Sequence, residues 1–286
     1  MQEFDKLWNY WKPEETEKLF RALLLNENKL LDKNYHLQLL TQLARTQSLQ
    51  RKFEEAHHLL DEVECHISEV FPIVSIRYLL ERGRTYNSNK EQEKAIPLFE
   101  QALKIAEAIK EENYAVDAAH MLGIATKNEK SLEWNLHAMK LAEQAIDERA
   151  TKWLAALYNN IGWTYFNLKQ YDKAMEVFEK SFMLFQMQGS IQQQRIAKWS
   201  IAKMNRFLGN AALAKQQQHE IESEAINEPD GYIFEELGEL YLLENNEAQY
   251  NYYFHEAYKL LSVDGWMQAN ESQRLERMHQ LAIKKG

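Results

Sequence analysis

Five residues in one short run, His57, His58, Glu62, Cys65 and His66, are of the types that bind a transition metal. On a helix, His58 and Glu62, Glu62 and Cys65, and Glu62 and His66 each lie about one turn apart. One face could thus carry nitrogen, oxygen and sulfur donors for Zn²⁺. The competing reading is a polar helix face in solvent, with Cys65 a partly buried apolar filler. That reading is preferred, so no metal and no cofactor is assigned. The chain has no glycine-rich phosphate loop, nucleophile elbow or HExxH run, so it is expected not to be an enzyme. The glutamine triplets 192–194 and 216–218 are read as polar helix surface.

The elements that would position any site follow from a repeat. Gly162 is followed by Tyr165 at +3, Ala174 at +12, Phe178 at +16 and Ser181 at +19. Gly83 is followed by Tyr86, Ala95, Phe99 and Ala102 at the same offsets, and Gly238 by Tyr241, Tyr250, Phe254 and Ala257. Weaker copies start at Ala44, Gly123 and Ala202. In the Gly123 copy, Asn135 stands in the +12 place and Met139 in the +16 place. Successive anchors at 44, 83, 123, 162, 202 and 238 are 39, 40, 39, 40 and 36 residues apart. A near-constant period of this size marks stacked helical hairpins. Apolar residues at −4, −1, 0 and +3 form one helix stripe, and a small anchor lets the second helix come close. One hairpin cannot bury its apolar face alone, so hairpins stack.

Tyr158, Ile161, Gly162, Tyr165, Ala174 and Phe178 resemble the tetratricopeptide repeat, W-x₂-L-G-x₂-Y followed by A-x₃-F. The period is about five residues longer than the usual 34, and the closing proline is missing, which is similar to the long-helix members of the family. Leu39 to Gln47 with Phe53 to Ala56 also resembles bacterial repeat proteins without an assigned activity. The resemblance implies an all-α fold, a right-handed superhelical solenoid of about six hairpins between capping helices. The expected division is a capping region over 1–33, six repeats over 34–261 and a capping helix over 262–286. Pro13 and the glutamates after it suit a helix start. Thr16, Phe20 and Leu23 sit one period before Ala56, Leu60 and Val63, and Glu271 to Lys285 reads as a final polar helix.

In such arrays the first helices line the concave face. Their stripe at −6, −3, +1 and +4 from each anchor is free of hairpin packing. It carries Arg45, Arg77, Arg84, Lys127, Lys203 and Arg206, a basic set in a chain of formal charge −9. It also carries His120, Asn159, Trp163, Phe166 and Trp199, with Asn160 beside them. Arginine with tryptophan is a hot-spot composition, and an asparagine amide can bond an extended backbone. The expected partner is a protein or peptide, acidic and with an apolar anchor. The opposing readings are that the aromatics are buried between neighbouring first helices and that the cations pair with nearby acids. A carboxylate clamp of the kind that grips chaperone tails is not matched, because Leu80, Arg84, Met121, Ala156 and Asn160 fail its pattern.

The acidic balance argues against nucleic acid, and the apolar runs are too short to span a bilayer. A single cysteine and no signal-peptide pattern at Met1 to Glu15 point to the cytoplasm. Two alternatives stay open. One is a sequestering factor similar to bacterial peptide receptors of this fold, without an output domain, since residues 1–33 are too short for a DNA-binding bundle. The other is a self-associating scaffold, because the repeat does not account for Tyr252 and Tyr253.

Overall fold

A computed structural model describes residues 2–25 and 31–283. They form two compact units, 1–157 and 158–286, divided inside one helix of the fourth repeat, where the repeat pattern marks no boundary. Among the described residues there is no strand. The first unit opens with a 3₁₀ turn, Glu3–Leu7, and α1, Pro13–Leu23. Three hairpins follow: α2 (Lys33–Leu49) with α3 (Phe53–Glu64), α4 (Pro72–Ser88) with α5 (Gln92–Ala108), and α6 (Glu112–Ala125) with α7 (Asn128–Gln144). A one-turn helix α8, Glu148–Thr151, precedes α9, Leu154–Asn167. The second unit continues with α10 (Tyr171–Gln188), α11 (Ile191–Phe207), α12 (Ala211–Glu224), α13 (Gly231–Leu243), α14 (Glu247–Leu261), α15 (Gly265–Asn270) and α16 (Ser272–Ile283). Of the final helix expected over Glu271 to Lys285, Lys284 and Lys285 lie outside the described residues.

The small-to-large logic of the repeat is physical contact. A Cβ built on Gly83 would lie 2.5 Å from the Phe99 ring, and one on Gly162 would lie 2.5 Å from the Phe178 ring. Gly238 and Phe254 repeat the arrangement at 3.0 Å. Five hairpin turns end in a left-handed residue seven positions after the anchor: Arg51, Lys90, Lys169, Gly209 and Asn245. The next residue's N–H then reaches back to a carbonyl of the first helix, as from Glu91 to Tyr86 and from Gln170 to Tyr165, each 2.9 Å. This is a Schellman closure, which satisfies carbonyls that a helix end would orphan.

The third hairpin departs from the expected register. A Cβ built on Gly123 would lie 2.6 Å from the Asn135 amide, so Asn135 occupies the aromatic slot and Met139 does not. Ser131 takes the small position and pins the hairpin by donating to the Gly123 carbonyl at 2.6 Å. The connection is one helical turn shorter than in the neighbouring repeats. The second glutamine triplet also differs from its reading, because Gln218 is fully buried on α12 rather than on the surface.

Candidate functional site

In the first unit the basic stripe residues form a ladder across successive first helices. Arg45 on α2 pairs with Glu81 on α4 at 3.6 Å. Glu81 also accepts from Arg84 at 2.7 Å, and Arg84 reaches Asp117 on α6. Arg84 and Asp117 are both buried. Burial opposes the Arg84 charge, but Asp117 and Glu81 outweigh it and raise its pKa. Arg45 is lowered by burial and by the neighbouring Arg84. Arg45 and Arg84 are thus paired with acids on α4 and α6, as the opposing reading of the basic stripe expects.

Arg77 on α4 makes a different set of contacts. Its Nε donates to the Tyr114 hydroxyl at 2.7 Å, while Nη1 and Nη2 grip both oxygens of Asp5 at 2.9 and 2.7 Å. Asp5 belongs to the opening 3₁₀ turn, whose Phe4 is fully buried against Phe20 and Tyr35. Trp8 Nε1 donates to Gln42 Oε1 on α2 at 3.0 Å, and the Trp8 ring stacks on Tyr10. The Tyr10 phenol is raised by burial of its hydroxyl, against the pull of Arg45 and Arg84, even though the residue as a whole is 59 % exposed. The stripe of the first unit is therefore covered by residues 4–10, which sequence reasoning did not foresee.

His120 on α6 is buried against the Trp153 ring, 5.3 Å between centroids. Burial pushes its pKa down to about 4, Arg84 adds to that, and Asp117 and Asn135 oppose it.

In the second unit Trp163 and Phe166 on α9 and Trp199 and Phe207 on α11 form one aromatic cluster. Trp163 lies 5.5 Å from Phe166 and 5.5 Å from Trp199, and Phe166 lies 4.8 Å from Phe207. Trp199 is fixed by donation from Nε1 to the Tyr232 carbonyl at 3.0 Å. The cluster is half-buried, with Phe207 38 % exposed. Lys203 sits over the Trp199 ring and, with Arg206, pairs with the buried Glu236 at 2.5 and 2.8 Å. Asn159 donates to the Asn160 side chain at 3.5 Å, and its buried Oδ1 meets no partner among the described residues. Further along, Arg274 and Arg277 of α16 pair with Glu235 and Glu239 of α13.

The histidine-rich run does not converge. Among the described residues no three His, Cys, Asp or Glu side chains are grouped to hold a metal. The Arg82 guanidinium stands 2.8 Å from His57 Nδ1, where it would repel a cation. Cys65 is exposed, which corrects its reading as a partly buried filler. Tyr253 is buried in a stack on Tyr241, while Tyr252 is exposed. A concavity of about 860 Å³ opens among α3, α4 and α5, lined by Ile67, Tyr78, Leu98 and Ile105, and includes none of the stripe residues. Among the described residues no helix is long and apolar enough to cross a membrane.

The tetratricopeptide-repeat profile matches residues 76–109 and 155–185, the second and fourth hairpins. Solved structures of similar fold include the apo form of RapI, 14 % identical, TM-score 0.66, covering 97 % of this chain and 78 % of that one. A tetratricopeptide repeat protein from Parabacteroides merdae is 16 % identical, TM-score 0.57, covering 95 % and 93 %. A Rap protein complexed with Competence and Sporulation Factor is 17 % identical, TM-score 0.54, covering 98 % and 94 %. At these identities the likeness is one of fold. No curated protein sequence matches the chain.

Proposed function

The chain is a tetratricopeptide-repeat protein, and on that premise we propose that it is a non-enzymatic, cytoplasmic scaffold that binds a protein or peptide on its first-helix faces. The observation that carries this reading is the aromatic cluster of Trp163, Phe166, Trp199 and Phe207 on α9 and α11. Grouped, partly exposed aromatics beside a cation are a hot-spot composition. The pairing of Lys203 and Arg206 with Glu236 leaves the apolar anchor as the stronger recognition element here, ahead of the ligand's acidity.

The test is capture of partners from a lysate of the cells that express the protein. Wild type is run beside a Phe166→Ala/Phe207→Ala variant whose helix content is unchanged. Partners lost from the variant alone support the reading. Equal retention of every partner overturns it for this face.

A second reading is a peptide receptor or sequestering factor. It is favoured by the shared fold of the Rap protein complexed with Competence and Sporulation Factor. Self-association through the exposed Tyr252 is a third proposal, which sedimentation as a monomer would exclude.

A further inference from the structure

The segment before α1 does not sit where a stacked repeat would. In a helical array each unit touches only its neighbours. A capping element below α2 would therefore touch α2 alone, and α1 already fills that role with Thr16 and Phe20 buried. Residues 4–10 instead run across the first helices. Trp8 bonds to Gln42 on α2, and Asp5 bonds to Arg77 on α4. The same Arg77 donates to the Tyr114 hydroxyl on α6, which joins the Asp5 grip to the third of these helices.

The occupant's chemistry is specific. Phe4 is the sunken anchor, with the Arg77 guanidinium 5.6 Å over its ring. Asp5, the next residue, takes the bidentate grip of that same arginine. A planar guanidinium suits this double task, stacking on a ring and forking onto a carboxylate. Beyond these two residues Trp8 packs on Phe20 and Asn9 bonds to Thr16 of α1, while Leu7 and Tyr10 keep large exposed apolar surfaces.

We propose that the first-helix face of α2, α4 and α6 is a peptide groove occupied by the chain's own residues 3–10, and that it takes from a partner a segment with an aromatic side chain followed directly by a carboxylate. This rests on the reading that first-helix faces bind segments, but it uses the first unit alone. Loss or survival of the α9–α11 site leaves it untouched. The cis segment competes with the partner, so apparent affinity is reduced by the fraction of time the groove is open.

The probe is a fluorescein-labelled peptide of residues 2–11, followed by anisotropy against the full-length chain. Asp5→Ala and Phe4→Ala/Asp5→Ala chains are expected to bind it roughly tenfold or more tightly than wild type, because their own segment vacates the groove. Adding Arg77→Met to either chain, or replacing the peptide's Phe and Asp by Ala and Asn, is expected to abolish binding. Equal or absent binding across folded chains overturns the proposal and makes the segment a fixed cap. Because Phe4 is fully buried, a second measurement uses wild type only. Excess unlabelled peptide should raise amide exchange in residues 3–10, and unchanged exchange at saturating peptide overturns the proposal.

Discussion

Asn135 stands against Gly123 where phenylalanine stands against glycine in three other hairpins. The glycine is kept although the ring is gone, because a Cβ there would lie as close to the amide, 2.6 Å, as to the rings elsewhere. Anchor and slot are matched in size elsewhere as well. Gly83, Gly162 and Gly238 face Phe99, Phe178 and Phe254, whereas alanine anchors go with smaller slot residues, Ala44 with Leu60 and Ala202 with Gln218.

This matching makes Gly162→Ala a sensitive probe. The added methyl would start 2.5 Å from Phe178, whose fully buried ring has no free space to enter. Overpacking of this kind costs about 1–3 kcal/mol. Urea unfolding should show a lower midpoint with an unchanged slope, and Phe178→Leu in the same chain should recover part of the loss.

The hairpins were legible in the sequence because small and large residues recur at fixed offsets, and those offsets are contacts. The third hairpin was misread because a turn shortened by four residues preserves helical phase. Met139 and Ala142 stay at plausible offsets while Asn135 holds the slot. The left-handed turn residues were hidden for a different reason: Arg51, Lys90 and Lys169 give no local signal of positive φ, as Gly209 does. Stripe residues could be placed by phase, but pairing could not, since Arg77 to Asp5 and Arg84 to Asp117 join residues far apart in the chain. Nothing periodic marks residues 4–10 as lying across the first helices.

His120 should make stability fall in mild acid. Its folded pKa, near 4, lies below the ordinary 6.5, so the unfolded chain binds the extra proton. The contribution is complete above pH 6.5 and is lost as pH falls toward 4. By linkage the loss at pH 5 is about 2 kcal/mol. Comparing urea midpoints at pH 7 and pH 5 measures it. A His120→Gln chain should show a smaller drop, and an identical drop would assign the acid sensitivity to other groups.

Glu236 carries a different pH signature. Burial alone would raise its pKa, but Lys203 and Arg206 outweigh it and hold the carboxyl below the usual range. Its contribution is present above the unfolded carboxylate pKa and is lost as pH falls through the lowered folded value. At neutral pH Glu236→Ala leaves two cations facing a carboxylate that is gone, and breaking such a buried pair costs about 3–5 kcal/mol. Glu236→Met combined with Lys203→Met and Arg206→Met should recover most of that loss in chemical denaturation, because all the charges leave together.

Gln218 offers the opposite sign. It is fully buried in the slot that holds phenylalanine in the neighbouring hairpins, and neither its Oε1 nor its Nε2 finds a partner among the described residues. A buried amide left unbonded costs about 1–3 kcal/mol, and an apolar group of the same shape avoids that cost. Gln218→Met keeps the length and flexibility of the side chain while removing both polar atoms. The substitution should raise the urea midpoint, with a gain of about 1 kcal/mol or more. Gln218→Phe should do worse than Met, because Ala202, unlike Gly162, brings a methyl to the place where the ring would lie. A Gln218→Met chain less stable than wild type would mean that the amide is bonded in solution and that this slot is polar by requirement.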